Sequence, residues 1–172
     1  MPELNWVNRN QTEQTAESVP YHLLKFEQAY GDETMARDNL IIQGDNLQAL
    51  KALLPLYGGQ VKCIFIDPPY NTAASEILYK NSYKHSSWLT LMNDRLMAGK
   101  FLNKDKNITC IAIDDYEYPR INLAIQNIFG EDSILSNVPI RSNPHGRAVA
   151  SGFSTNHEFA LFIGHSTVSK VG

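Results

Sequence analysis

Val61-Lys62-Cys63-Ile64-Phe65-Ile66-Asp67-Pro68-Pro69-Tyr70 is the stretch that decides the fold. Its first six residues are nearly continuously apolar, the pattern of a strand covered on both faces. Asp67 then opens a segment of another kind. Two consecutive prolines remove two backbone donors and fix φ at about -65°. The residue before each proline is pushed out of the α region. A stiff turn follows a buried strand, at the end where open α/β sheets bind their ligands.

The flanks alternate between strand and helix patterns. Leu40 to Gln43 reads as a short strand. Asn46 to about Leu54 reads as a helix with Leu47, Leu50, Leu53 and Leu54 on one face, ended by Pro55 and Gly58-Gly59. Trp88 to Leu102 and Pro119 to Phe129 read as further helices, the second stopped by Gly130. Ile108 to Ile113 is a second buried strand, and Ile134 to Arg141 and Glu158 to Ile163 follow as two more. No helix pattern separates those last two. The expected fold class is therefore α/β, with a mainly parallel sheet and an antiparallel pair at one edge. Upstream, residues 1 to about 20 are polar and read as an arm, and Tyr21 to Tyr30 has helical spacing closed by Gly31.

Composition bounds the function. A chain of 172 residues, 43% hydrophobic and 19% charged, has material for one core. No apolar run is long enough for a membrane span, and Met1-Pro2-Glu3-Leu4-Asn5 does not open a signal peptide. Cys63 and Cys110 each sit in an apolar run and read as free core thiols, which makes a cytoplasmic location the default. His145, His157 and His165 lack metal-ligand spacing, so no metal is expected. Net charge is -3, with the acidic excess in residues 1–60 and a small positive balance after residue 132. That is not the footprint of a chain that holds a duplex by its phosphates alone. Arg141, His145 and Arg147 flank a polar loop, Ser142 to Ser154, which reads equally as a phosphate contact and as a solvated loop.

The chemistry is in Asp67 to Tyr70. A carboxylate, a rigid carbonyl and an aromatic ring held together suit an exocyclic amine on a planar base. Asp67 and the Pro68 carbonyl can each accept one N–H, and Tyr70 can stack on the ring. Stacking is worth about 1–3 kcal/mol per base, against a few kcal/mol to extrude a base. The bland reading is a proline turn with Asp67 as a cap. The position directly after a buried strand, and the aromatic that ends the motif, favour the amine. Asp114 and Asp115, paired carboxylates at the end of the second strand, suggest acid-base work or a metal, against the favoured bland reading as caps for the following helix that also shape the pocket floor.

The surrounding strings resemble a known family. Leu40-Ile41-Ile42-Gln43-Gly44-Asp45-Asn46-Leu47 and Ile64-Phe65-Ile66-Asp67-Pro68-Pro69-Tyr70-Asn71-Thr72 are similar to the β-type adenine-N6 DNA methyltransferases of the DNA methylase N-4/N-6 family. The similarity is greatest to modification (Mod) subunits of type III restriction-modification systems. It runs on through Ser86-Ser87-Trp88-Leu89, Ile113-Asp114-Asp115-Tyr116-Glu117, Ile128-Phe129-Gly130-Glu131-Asp132 and Asn156-His157-Glu158-Phe159. It implies a partial Rossmann-like class I methyltransferase domain with Asp67, Pro68, Pro69 and Tyr70 as the catalytic, amine-holding residues. It implies S-adenosylmethionine as methyl donor, DNA as substrate and a restriction (Res) subunit as a possible partner. Asp45 matches a position near the junction of donor and base, and it reads equally as the N-cap of the following helix. Asn71 and Thr72 continue the loop toward the donor, with Ala73 where the family often has glycine. N4-cytosine is the minor alternative target.

The family's donor-binding segment, a Phe-x-Gly-x-Gly-like turn late in the chain, has no counterpart in these 172 residues. Residues 1–34 are accordingly expected to form an extension, and 35–172 the catalytic part of a domain incomplete at its C-terminus. Such a piece would self-associate or need a missing C-terminal half. The alternative to an enzyme is a truncated, non-catalytic remnant that only contacts DNA or another protein.

Overall fold

A computed structural model of the protein describes residues 4–7, 9–10, 18–31, 39–72, 84–142 and 155–164. Helix α1 spans Asn46–Tyr57, with the Asp45 side chain accepting from the Gln48 backbone N–H at its start. Strand β1 is Val61–Ile66. Helix α2 is Lys84–Leu102, and strand β2, Asn103–Ile113, follows it directly. Helix α3 is Tyr118–Phe129, with Pro119 in its first turn, where a missing N–H costs nothing. Gly130 ends it at φ 104°, a conformation closed to residues with a Cβ. A short 3-10 turn, Glu131–Ser133, leads into strand β3, Ile134–Arg141. Strand β4 is His157–Gly164.

The sheet order is β1-β2-β4-β3. β1 and β2 are parallel, with Ile66 opposite Ile111. β4 is antiparallel to both β2 and β3. It follows that β1, β2 and β3 all run the same way, each reached through a helix, and β4 alone runs back between two of them. The expected antiparallel pair is β3 with β4. β3 is the outer strand, which is why Pro139 is tolerated in it. The reversal of β4 has a consequence for chemistry: its first residues lie at the same edge of the sheet as the residues that follow β1 and β2.

The core lies on one face of this sheet. Ile111 and Ile113 of β2 and Leu161 and Ile163 of β4 meet Trp88, Leu89, Met92 and Leu96 of α2 and Ile121, Ile125 and Ile128 of α3. Helix α1 packs on α2. On the opposite face the apolar run of β1 is not covered by described residues. Phe65 is 70% exposed and Cys63 is exposed as well. The expectation that β1 is covered on both faces, with Cys63 in the core, is therefore corrected. An apolar run shows that both faces are greasy and does not say what lies on either.

Three local expectations also change. Tyr21 to Tyr30 forms no helix, and Leu23 is 99% exposed. A helix of about ten residues is marginal without a surface to pack on, and its stripe finds none here. Leu40 to Gln43 forms no strand, having no neighbour to pair with among the described residues. Pro55 does not end α1, which continues to Tyr57; its ring falls in the final turn, where only one helical bond is lost. Among its described residues the N-terminal arm is held at Val19, whose carbonyl accepts from Lys51 Nζ at 2.8 Å, and at Trp6. Trp6 Nε1 donates to Thr90 Oγ1 at 3.1 Å, and Leu4 and Trp6 pack against the core. Ala73, His145, Arg147, His165 and most of the loop from Ser142 to Ser154 lie outside the described residues.

Candidate active site

Asp67 to Thr72 leave the sheet at the carboxyl end of β1. Pro68 is buried and Asp67 is exposed beside it, so the motif is rooted while its carboxylate faces outward. The carbonyl of Pro69 accepts a hydrogen bond from Trp88 Nε1 at 2.7 Å. Trp88 is itself fully buried in the first turns of α2, so a core side chain fixes the middle of the motif. It is the Pro69 carbonyl, not that of Pro68, which is spent on the scaffold.

Tyr70 is half-buried, and its hydroxyl donates to Glu158 Oε2 at 3.1 Å. That contact exists because β4 runs back toward this edge. Burial, the hydrogen bond and charge of Glu158, and then the charge of Asp67 push the Tyr70 phenol well above the usual tyrosine range. The ring therefore stays a neutral phenol. More aromatic surface continues alongside. Tyr118 stacks on Phe159 with centroids 4.2 Å apart, and His157 meets Phe159 edge-on at 5.1 Å.

Asn71 is buried and adopts φ 59°, the left-handed region. Its side-chain amide donates to Glu117 Oε1. His85 Nδ1 lies 2.6 Å from the same oxygen, and the His85 ring sits against Tyr116. Glu117 is fully buried, and Arg120 Nη1 is 3.5 Å from its second oxygen. Thr72 is half-buried beside Asn71. Asp45 stands at the start of α1. One of its oxygens caps the helix and the other lies 3.4 Å from Arg95 Nη2. The capping role read from the sequence is thus present in the structure.

Of the paired carboxylates after β2, Asp114 is buried and Asp115 exposed. Asp114 Oδ1 accepts from the Tyr116 backbone N–H at 3.1 Å, which shapes the turn into α3. Neither residue caps α3, whose N-cap position is Glu117. Arg141 is exposed at the end of β3. Reading the sequence for site residues passed over Trp88, Glu117 and Glu158. Each lay inside a string quoted for the resemblance, and each is brought to the motif by tertiary contact.

This geometry can be set beside known proteins. The family model described as "DNA methylase" matches residues 61–169. The chain belongs to the DNA methylase family. The HindVI Mod subunit of Haemophilus influenzae, a probable type III restriction-modification enzyme, is 38% identical over 134 residues, covering 78% of this chain. The type III EcoPI Mod subunit of Escherichia phage P1 is 29% identical over 188 residues, covering 91% of it. The type II methyltransferase M.KpnI of Klebsiella pneumoniae is 30% identical over 137 residues, covering 74%. The chain spans 18%, 29% and 33% of the lengths of the HindVI, EcoPI and M.KpnI proteins. Within the DNA methylase chain, the matched segment contains the whole of the Asp67–Tyr70 motif together with Trp88, Glu117 and Glu158.

Proposed function

We propose that this chain supplies the target-base site of a DNA adenine-N6 methyltransferase working in a restriction-modification system. The observation that carries the proposal is the anchoring of the motif. Trp88 holds the Pro69 carbonyl and Glu158 holds the Tyr70 hydroxyl, while Asp67 faces outward at the carboxyl end of β1. Asp67 and the Pro68 carbonyl would each accept one N–H of the adenine amino group. That orients the nitrogen and favours its lone pair as a nucleophile. The Tyr70 ring would stack on the base. Positioning of this kind is worth more than any single contact, because preorganised groups cost no rearrangement when the reaction occurs.

The methyl donor of this reading is S-adenosylmethionine, which supplies an electrophilic methyl group on a sulfonium sulfur. The donor set at the motif fits that cationic end: the exposed Asp67 carboxylate and the face of Tyr70 both favour a positive charge. Asp45, Asn71 and Thr72 are the other residues we assign to the donor side. Structural partners hold Asp45 and Asn71. Asp45 is committed to the Gln48 N–H and Arg95, and the Asn71 amide to Glu117. Their part is to shape the approach more than to grip the donor. When bound, the donor would supply the methyl carbon to which the amine nitrogen bonds, its sulfur leaving as a neutral thioether, and the amine would give up one proton. Asp67 is the acceptor in contact with that proton.

The rest of the proposed setting is DNA as substrate, a restriction subunit as partner and a cytoplasmic location, a reading supported by the likeness to Mod subunits of type III restriction-modification enzymes. No described helix is long and apolar enough to cross a membrane. The test is Asp67→Ala in the intact protein, with transfer of a labelled methyl group to adenine in DNA as the readout. A loss of at least about 100-fold is expected, since the substitution removes an orienting acceptor. Wild-type rates in this variant would sink the assignment. A wild-type protein that binds DNA and transfers nothing would instead support the alternative, a module that contacts DNA without chemistry.

A further inference from the structure

Glu117 is the buried charge that the chemistry above does not use. It occupies the N-cap position of α3, where a carboxylate ordinarily accepts from a backbone N–H of the first turn. Here the side chain makes no such bond. It is diverted across the edge of the sheet to Asn71. A fully buried carboxylate persists only with several donors, and this one collects them from three places: Asn71 on the motif loop, His85 at the start of α2 and Arg120 in α3.

Asn71 directly follows Tyr70 and is the only described residue other than glycine with positive φ. Left-handed backbone is uphill for any residue with a Cβ, although asparagine tolerates it better than most. Such a conformation lasts only where its surroundings over-determine it. The Glu117 contact is part of the surroundings that do so. The motif is then held at three consecutive residues, by Trp88 at Pro69, by Glu158 at Tyr70 and by Glu117 at Asn71.

We propose that Glu117 is a positioning residue for methyl transfer. It holds Asn71 in the left-handed conformation and so sets the direction of the Tyr70 ring and the Pro68 carbonyl. It does not touch the base or the donor. This inference rests on the reading of Asp67 to Tyr70 as the amine site.

The experiment compares Glu117→Ala, Glu117→Gln, Asn71→Ala, Asn71→Gly and the pair Asn71→Gly with Glu117→Ala, using methyl transfer to DNA in the intact protein. Glu117→Ala should lower kcat by about 10- to 100-fold with the KM for DNA nearly unchanged, the signature of misplacement and not of lost binding. Glu117→Gln should stay within about threefold of wild type, because its amide oxygen still accepts from Asn71. Glycine adopts positive φ without strain. Asn71→Gly should therefore be at least about tenfold more active than Asn71→Ala, and it should restore much of the activity lost in Glu117→Ala.

Three results would overturn the proposal. Glu117→Gln could fall as far as Glu117→Ala, which would mean that the charge acts directly. The double variant could be no better than Glu117→Ala. Asn71→Ala could equal Asn71→Gly. That last comparison leaves Glu117 in place, so it decides the matter even if Glu117→Ala fails to fold. Asp67→Ala separates the two levels. If it is inactive while every Glu117 variant is normal, only the positioning role fails. If it is fully active, the amine site itself fails.

Discussion

Tyr70 has two separable parts, a ring to stack with and a hydroxyl given to Glu158. Tyr70→Phe keeps the first and deletes the second. A net hydrogen bond is worth about 0.5–1.5 kcal/mol, or roughly three- to tenfold in rate if it acts only in the transition state. Tyr70→Ala also forfeits about 1–3 kcal/mol of stacking. The expected order of kcat/KM for methyl transfer is therefore wild type, then Phe, then Ala, with the larger step at Ala. Because burial and Glu158 push the phenol upward, the pH profile of the wild-type enzyme should show no loss of activity from Tyr70 in the alkaline range where tyrosines ordinarily titrate. At this scale the sequence was informative where chemistry is local. Asp67-Pro68-Pro69-Tyr70 announces a rigid acceptor pair and a ring because proline dictates its own backbone. The partners were not legible in the same way. Glu117 is 46 residues from Asn71 and Glu158 is 88 from Tyr70, and nothing in the local pattern of either glutamate names its partner.

Helix α2 joins the site to the core. Its buried stripe, Trp88, Leu89, Met92 and Leu96, packs on β2 and β4, and its first buried residue also reaches the motif through Trp88 Nε1. Trp88→Phe keeps most of the apolar volume and orphans the Pro69 carbonyl. The expected cost is about 0.5–1.5 kcal/mol in a urea unfolding curve, the net worth of one hydrogen bond, since Pro69 is exposed and water can reach its carbonyl. Transfer activity should fall along with it, because the motif loses one of the contacts that hold it. If the activity fell with no change in the urea midpoint, the bond would be serving the site and not the fold. Elements with their own punctuation were legible in the sequence, although α1 runs past the proline expected to end it. α1 starts at the Asp45 cap and closes at Gly58, and α3 starts beside Pro119 and stops at Gly130. Elements whose existence depends on a neighbour were not. Tyr21 to Tyr30 has the spacing of a helix and no surface among the described residues to receive it, and Leu40 to Gln43 has the composition of a strand and no described strand to pair with.

The whole molecule carries one internal cost that pH exposes. Asp94 lies in α2, 5% exposed, with its Oδ1 lacking a hydrogen-bond partner. Burial pushes its carboxyl up to about 6, against the pull of Arg95 and Lys51. The folded state therefore holds this proton more tightly than the unfolded chain, whose carboxyl has the ordinary value of 3.8. Stability from this group is highest below about pH 4 and is lost as pH rises through about 6. At pH 7 the ionised group costs on the order of 2–3 kcal/mol. Asp94→Asn should raise the urea midpoint at pH 7 and leave it nearly unchanged at pH 4. An equal gain at both values would remove ionisation as the cause. The alternation of strands and helices made the α/β class and the direction of β1, β2 and β3 legible, since helical connections between neighbours demand parallel strands. The return of β4 between β2 and β3 was not, because chain order does not fix order in a sheet. Nor was the one-sided core, and that one-sidedness divides the two cysteines. The Cys110 thiol is half-covered and is pushed up by burial and by its neighbour Cys63, which lowers the thiolate fraction that reacts. Cys63 is exposed with Phe65 on the face that no described residue covers. An electrophile added to this protein meets one ready sulfur where the composition counts two.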